Sequence, residues 1–382
     1  MSAHAGLVAL VSALLLLGCA SAGELTGEDG RARFERPVGG IRSGDMDDAA
    51  FELAGAEEAP EDETPDAGKE PETPPAPETD EPNVPDRATE RLLEAAAAGS
   101  PEEVEEAIAA GGDVSYRMPP GGRSVLMEAA ARNDDPEVVE TLLEAGARVD
   151  ARTDAGSTAL MWAAGANENA DVLLALLAAG ADANAADDDG GTALMAAGHN
   201  PNPEIHEALL AAGAAIDARS TAGGTPLMAA ASINPNPRVV SLLLERGGEV
   251  NARTQAGQTA LSIAVVMNAN PDVAALLVEA GADIDIRDNR GAPLLSRSVL
   301  NETVEVLVLL IEAGADLEIR DGRWGMTPLM YAAQQNRADA VSVLIEAGAD
   351  VHASDDSGKT ALDHAREDTE SRAIIESALG RT

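Results

Sequence analysis

The chain has 382 residues, enough for two or three ordinary domains or for one repeat array. Its 67 Asp and Glu against 26 Lys and Arg leave a formal charge of −41, which repels phosphate backbones and anionic headgroups and so argues against nucleic acid as a partner. Aromatic residues are only 2% of the chain, so a core must be built from Ala, Leu and Val, and the single cysteine, Cys19, excludes an intramolecular disulfide and a Cys-based zinc site.

Residues 1–22 read as an export leader. Leu7 to Leu17 form an apolar run of eleven residues, about 16 Å of helix against a bilayer core of roughly 30 Å, which is the length of a signal-peptide core and too short for a stable anchor. Leu16-Leu17-Gly18-Cys19 resembles a bacterial lipobox, which implies a lipidated Cys19 as the mature N-terminus. Ala20 would then be the second mature residue, and the resemblance implies the outer membrane. Two observations keep other readings open: the leader start has no Lys or Arg, and Ala20-Ser21-Ala22 also reads as an ordinary cleavage site giving a soluble exported protein. A misplaced start is the third reading.

Residues 23–87 read as a linker. From Ala56 to Asp86 there are eight prolines, dense carboxylates and one basic residue, Lys69. Such a stretch buries too little apolar surface to offset chain entropy, so an extended acidic tether is expected, with an acidic bait for a basic partner as the alternative.

From Ala88 the chain repeats itself. A Gly-Ala-Asp signature or a near variant begins at Gly111, Gly146, Gly180, Gly213, Gly247, Gly281, Gly314 and Gly348, with spacings of 35, 34, 33, 34, 34, 33 and 34. Units this small cannot bury their own apolar face, so they must stack. Thr158, Thr192, Thr225, Thr259, Thr327 and Thr360 each precede a short apolar stretch and can cap a first helix, with Pro226 and Pro328 at its first position. Ser100-Pro101, Asp135-Pro136, Asn202-Pro203, Asn236-Pro237 and Asn270-Pro271 start a second helix, and the signature glycine ends it. An arm and turn such as Val149 to Gly156 lead to the next unit.

Helix, turn, helix and arm at this period, with T-P/A-L-x-x-A-A and G-A-D-x-N-A motifs, resemble the ankyrin repeat over residues 88–382. The resemblance implies an all-α repeat solenoid with hairpin or loop arms, about eight repeats and a C-terminal cap. Several units carry an extra residue before the second helix. Met127, Met161, Met195, Met228 and Met330 stand where the family usually has His. Around Gly291 to Arg297 the capping Thr is missing and Arg297 falls where a buried Ala is expected, so this unit should be the weakest.

Catalytic chemistry finds little support. His199 and His206 flank a turn without a clear third metal ligand, and His352 and Asp363-His364 read as structural. Asp187-Asp188-Asp189-Gly190-Gly191 lacks the acidic residues that a calcium loop needs at Ala185 and Ala196, so it reads as a solvated turn. Neither a metal nor a cofactor is expected. Trp162 and Tyr331 share one position of the first helix and read as packing residues, whereas Trp324 sits in a turn one residue longer than its neighbours and reads as an exposed contact candidate. Just before each turn stand Arg117, Arg152, Arg219, Arg253, Arg287 and Arg320, with Ala186 and Ser354 as exceptions. These arginines either balance carboxylates two residues earlier on the arm or form a row that binds an acidic or C-terminal-carboxylate segment. The resemblance implies recognition of another protein on the concave face of tips and first helices; a monomer is expected, reaching the membrane only through the lipid anchor. A passive envelope spacer is the main rival, and an enzyme the remote one.

Overall fold

The computed structural model describes residues 84–380 except 269, 288–290, 302–303 and 368. The leader, Cys19 and nearly all of the tether lie outside the described residues. Among the described residues, eighteen α-helices come in nine consecutive pairs. The first pair is α1 (Arg87–Ala98) and α2 (Pro101–Ala109), then α3 (Val125–Arg132) and α4 (Pro136–Glu144), α5 (Ala159–Ala166) and α6 (Ala170–Ala178). Next come α7 (Ala193–Ala196), prolonged by a 3-10 turn (Ala197–His199), with α8 (Pro203–Ala211); α9 (Pro226–Ile233) with α10 (Pro237–Glu245); and α11 (Ala260–Met267) with α12 (Pro271–Glu279). The last are α13 (Leu294–Ser298) with α14 (Glu305–Glu312), α15 (Pro328–Gln334) with α16 (Ala338–Glu346), and the closing pair α17 (Ala361–His364) and α18 (Glu370–Leu379). Among the described residues, strand structure is confined to a ribbon of β1 (Arg117–Met118) and β2 (Arg123–Ser124), paired antiparallel, and to single bridges at equivalent places such as Ala186 with Thr192. The expected all-α repeat solenoid is what forms.

Local chemistry sets each boundary. The hydroxyls of Thr158, Thr192, Thr225, Thr259 and Thr327 accept the N–H of the third helical residue, at 3.4 Å for Thr158. At Met127 and Met330 the sulfur completes the exchange by accepting the N–H of Ser124 and Thr327, at 3.4 and 3.5 Å, so methionine takes part in the cap. Asp135, Asn202, Asn236 and Asn270 cap the second helices ahead of a proline, each accepting at 3.0 Å. Those helices end on glycines with φ from +86° to +100°, a conformation that strains any residue with a Cβ.

Two rows of leucine run through the stack. Leu126, Leu160, Leu194, Leu227, Leu261, Leu295 and Leu329 from first helices are at most 3% exposed, as are Leu142, Leu176, Leu209, Leu243, Leu277, Leu310 and Leu344 from second helices. Burying a leucine contributes roughly 1.5–3 kcal/mol, so the stack of leucines carries most of the cohesion that the scarce aromatics do not.

The differing repeat lengths have a definite location. From helix cap to the turn asparagine is nine residues at Ser124–Asn133, Thr158–Asn167, Thr225–Asn234 and Thr259–Asn268, but eight at Thr192–Asn200 and Pro293–Asn301. From that asparagine to the next signature glycine it is always thirteen, as from Asn200 to Gly213. The two units of 33 residues therefore lose one residue from the first helix, and those are the units with the truncated α7 and α13.

The unit built on α13 and α14 is the least secured. Neither Pro293 nor Val304 gives a side-chain cap, and the Ser296 hydroxyl is buried without a partner. Arg297 corrects the sequence expectation: it is half-buried, and Ser298, one residue on, fills the enclosed position with its hydroxyl donating to Leu295 O at 2.8 Å. The side chain escapes burial because it shares the outward position of Trp162 and Tyr331. Residues 291–313 should exchange amide hydrogens faster than residues 225–246, and Pro293→Thr should stabilise the array by about 1 kcal/mol. Equal protection of both stretches would refute this.

Candidate protein-binding surface

Apart from the β1–β2 ribbon and the single bridges, the described arms are held mainly by side chains. One residue after Arg152, Arg219 and Arg253, a short hydroxyl side chain ties the turn: Thr153 accepts the Ser157 N–H at 3.0 Å, Ser220 that of Gly224 at 2.9 Å, and Thr254 that of Gln258 at 3.1 Å. Asp187 is the equivalent residue and accepts from Gly191 at 2.6 Å and Asp189 at 3.1 Å. The acidic run is thus a turn device. Burial pushes the Asp187 carboxyl above the usual carboxylate range, the neighbouring Asp189 and Asp188 charges add to this, and its two N–H bonds oppose it. Successive tips are stitched by backbone bonds: Asp154 N–H to Gly121 O at 2.8 Å, Asp188 to Ala155 at 3.1 Å, and Thr221 to Asp189 at 2.8 Å.

The arginine row has a third role beside the two expected. Arg152 Nη1 donates to Gly156 O in its own turn at 3.2 Å and to Ala186 O in the next arm at 2.6 Å. Arg219 does the same with Gly223 O (3.4 Å) and Arg253 O (3.0 Å), and Arg320 with Gly325 O (3.1 Å) and Ser354 O (2.7 Å). Arg287 bridges Gly291 O and Arg320 O. The carboxylate partners come from the following unit: Asp154 lies 2.8 Å from Arg117, and Glu249 lies 2.8 Å from Arg219. Arg253 is exposed. The row is exposed along the arms, but it also clamps one repeat to the next.

Sequence reasoning missed a buried asparagine ladder. Asn133, Asn167, Asn200, Asn234 and Asn268 stand two residues before each second-helix cap and are at most 5% exposed. Each amide nitrogen donates to carbonyls of the preceding unit: Asn167 to Ala130 O (3.1 Å) and Asn133 O (2.8 Å), Asn200 to Ala164 O (3.0 Å) and Asn167 O (2.7 Å), Asn234 to Gly198 O (2.7 Å) and Asn200 O (2.9 Å). Each side-chain oxygen accepts from the cap residue's N–H, at 2.9 Å for Asn236 to Asn234. In the eighth unit Arg337 takes the place of the ladder asparagine, donating to Val299 O at 3.0 Å and to Asn301 O. The recurring Asn-x-Asn-Pro spacing was the available signal.

On the outer side of the first helices, Trp162 lies under the Arg123 guanidinium, 4.1 Å from its ring centre. Arg123 also pairs with Glu128 at 3.1 Å, which holds Arg132 at 2.7 Å. Tyr331 is half-buried, and its hydroxyl donates to Asp321 at 3.2 Å. Asp321 fixes its turn, one residue longer than its neighbours, accepting the N–H groups of Arg323 (2.6 Å), Trp324 (2.7 Å) and Met326 (3.1 Å). Burial raises its pKa, but these N–H groups and the Tyr331 hydroxyl outweigh it and hold the carboxyl below the usual range. Trp324 projects from this fixed turn, 48% exposed, with Arg323 stacked 4.5 Å from its ring centre, while its carbonyl accepts the Asp356 N–H at 3.0 Å. His364 pairs with Asp355 at 2.8 Å; the Lys359 N–H foremost, with Ser357 and His364, holds that carboxyl well below the usual range against its burial. His206 is fully buried in α8 rather than a polar turn residue, while His199, at the end of the 3-10 turn, is half-buried. Among the described residues no group of three or more His, Cys, Asp or Glu is arranged to hold a metal, and no helix is long and apolar enough to cross a membrane.

A family model described as ankyrin repeats (three copies) matches residues 92–187, 126–220, 164–253, 193–288 and 295–376. The chain belongs to the ankyrin-repeat family. The match lapses between residues 288 and 295, where this ankyrin-repeat protein replaces the cap threonine by Pro293. No curated protein matches the chain. Ankyrin repeats are in general non-catalytic modules that bind other proteins.

Proposed function

We propose that this ankyrin-repeat protein is an envelope-anchored binding module, lipidated at Cys19 and tethered by residues 23–87, that captures a partner protein on the face of hairpin tips and first helices. The single observation that carries the reading is Trp324: a half-exposed indole in an aromatic-poor chain, on a turn whose backbone is already fixed by Asp321. A large aromatic held in place before binding loses little entropy on capture, which is how a few side chains come to dominate an interface. The exposed arginine row, with Arg323 beside the indole, supports an acidic or C-terminal-carboxylate segment as the part of the partner recognised. The passive-spacer reading is favoured by one observation, the use of Arg152, Arg219, Arg287 and Arg320 as clamps between repeats.

Crosslinking from the tip face in cells, followed by identification of the captured protein, separates the two. Trp324→Ala should lower capture at least tenfold with the fold unchanged. The triple variant Arg219→Gln, Arg253→Gln and Arg287→Gln should lower capture too, with a stability loss of about 1 kcal/mol for each clamp removed. Capture unaffected by either variant leaves the row as ordinary charge balancing, whereas the absence of any captured protein leaves a spacer. Anchoring is checked separately: Cys19→Ala should leave the membrane fraction. Retention there, together with wild-type protein free of acyl mass, would refute lipidation.

A further inference from the structure

We propose that the fourth repeat, α7 with its 3-10 turn and α8, is an acid-responsive joint worked by His206 and His199. His206 is 0% exposed. Its Nδ1 lies 3.3 Å from Asn202 O, a bond the neutral ring makes with Nδ1–H as donor, while its Nε2 is buried with no partner. His199, at the end of the 3-10 turn, likewise buries an Nε2 with no partner. In the neutral ring this is an unmatched acceptor, a cost that the fold carries. Protonation turns each Nε2 into a buried cationic N–H with no acceptor, and that costs far more.

No neighbouring charge relieves it. Helix α7 and the helices packed on the 3-10 turn, α5 and α9, contain no ionisable side chain. The helices packed on α8 are α6 and α10, whose Asp171, Arg238 and Glu245 are exposed, as are Glu204 and Glu207 on α8 itself. Burial pushes both imidazoles below the ordinary histidine value, opposed at His206 by the Asn202 carbonyl and, more weakly, by the nearby Ala197 carbonyl. A depressed folded pKa means that the unfolded segment binds the extra protons. The stability these rings allow is therefore complete above pH 6.5, the unperturbed value, and drains away as pH falls below it.

Two further features direct the effect to this repeat. It is one of the two units with a first helix one residue short. Its arm carries Ala186 where its neighbours carry the clamping arginine, so it has no guanidinium with which to hold the fifth repeat. In an array joined only through nearest neighbours, strain in one unit opens that unit before the rest.

The test is hydrogen exchange on the full chain at pH 7.5 and pH 5.0, reading protection of residues 193–211 as a ratio to residues 226–245 in the same sample, so that the intrinsic pH dependence of exchange cancels. The ratio should fall at least about tenfold at the lower pH. In His199→Gln/His206→Gln the fall should vanish, whereas His352→Gln, at an exposed arm position, should leave it intact. Because the double variant can fail to fold, NMR titration of the wild-type imidazoles provides a second reading. Two rings that stay neutral well below pH 6.5 while the repeat is closed support the joint. A ratio that does not move with pH, or two rings that titrate at the ordinary value, would overturn it.

Discussion

Asn234→Ala should lower the stability of the array by about 3–5 kcal/mol, read as a shift of the urea unfolding midpoint with the slope unchanged. The figure follows from three bonds at a fully buried side chain: two from its amide to Gly198 O and Asn200 O, at 2.7 and 2.9 Å, and one to its oxygen from the Asn236 N–H, at 2.9 Å. Alanine leaves two carbonyls and one N–H unmatched, at roughly 1–3 kcal/mol each where water cannot enter. Asn184 is the control. It makes an equivalent pair of bonds between arms, donating to Gly213 O at 2.9 Å and accepting from Ala215 at 2.8 Å, but it is exposed, so water replaces what alanine removes. Asn184→Ala should cost no more than about 1 kcal/mol. If both substitutions cost the same, the ladder has no special standing.

Gly198→Ala should be the second most damaging small change, at about 2–3 kcal/mol. A Cβ built at Gly198 meets Ala229 Cβ at 2.6 Å, Ala229 C at 2.8 Å and Ala230 N at 3.0 Å, and the last two are backbone that cannot turn aside. The 3-10 turn and α9 would have to separate, loosening the leucine rows on either side. Gly165 occupies the matching place one unit earlier, yet its nearest neighbour would be Ala196 O at 3.3 Å. Gly165→Ala therefore asks only a few tenths of an ångström and should be near neutral, the cost offset by alanine's better helix propensity. Calorimetry on both variants settles the comparison, and similar Tm values would contradict the account.

The fold was legible because its determinants are local and repeated eight times. Thr158 before Ala-Leu-Met, Asn202 before Pro203 and Gly213 at the helix end each state their structural role within a few residues. What the sequence hid depends on units about 34 residues apart. Asn200 looks like loop material when its neighbours are Gly198 and Pro201; it becomes a core residue only once Ala164 O and Asn167 O arrive from the preceding unit. The arginines mislead for the same reason. Alternation along an arm placed Arg219 beside Asp217, while the acceptors that hold its Nη1 belong to its own turn and to the next arm. Trp324 was found from an extra turn residue, but the Asp321 and Tyr331 support beneath it needed the folded turn.

The location of the missing residue in the short units has a consequence for how such a chain can change length. The stretch from turn asparagine to glycine is held at both ends by contacts with a neighbour, so adding or dropping one residue there would throw the next unit out of alignment. The end of a first helix can take up the change, by tightening as Ala197–His199 does, before the asparagine is reached. A whole unit is different: it brings its own glycine stop, cap, ladder residue and arm, and the surfaces it separates are those it presents. Excision of residues 214–247 or duplication of the same block should thus yield a folded array with one repeat fewer or more. Loss of Asn234 alone should instead leave the count intact and the joint open.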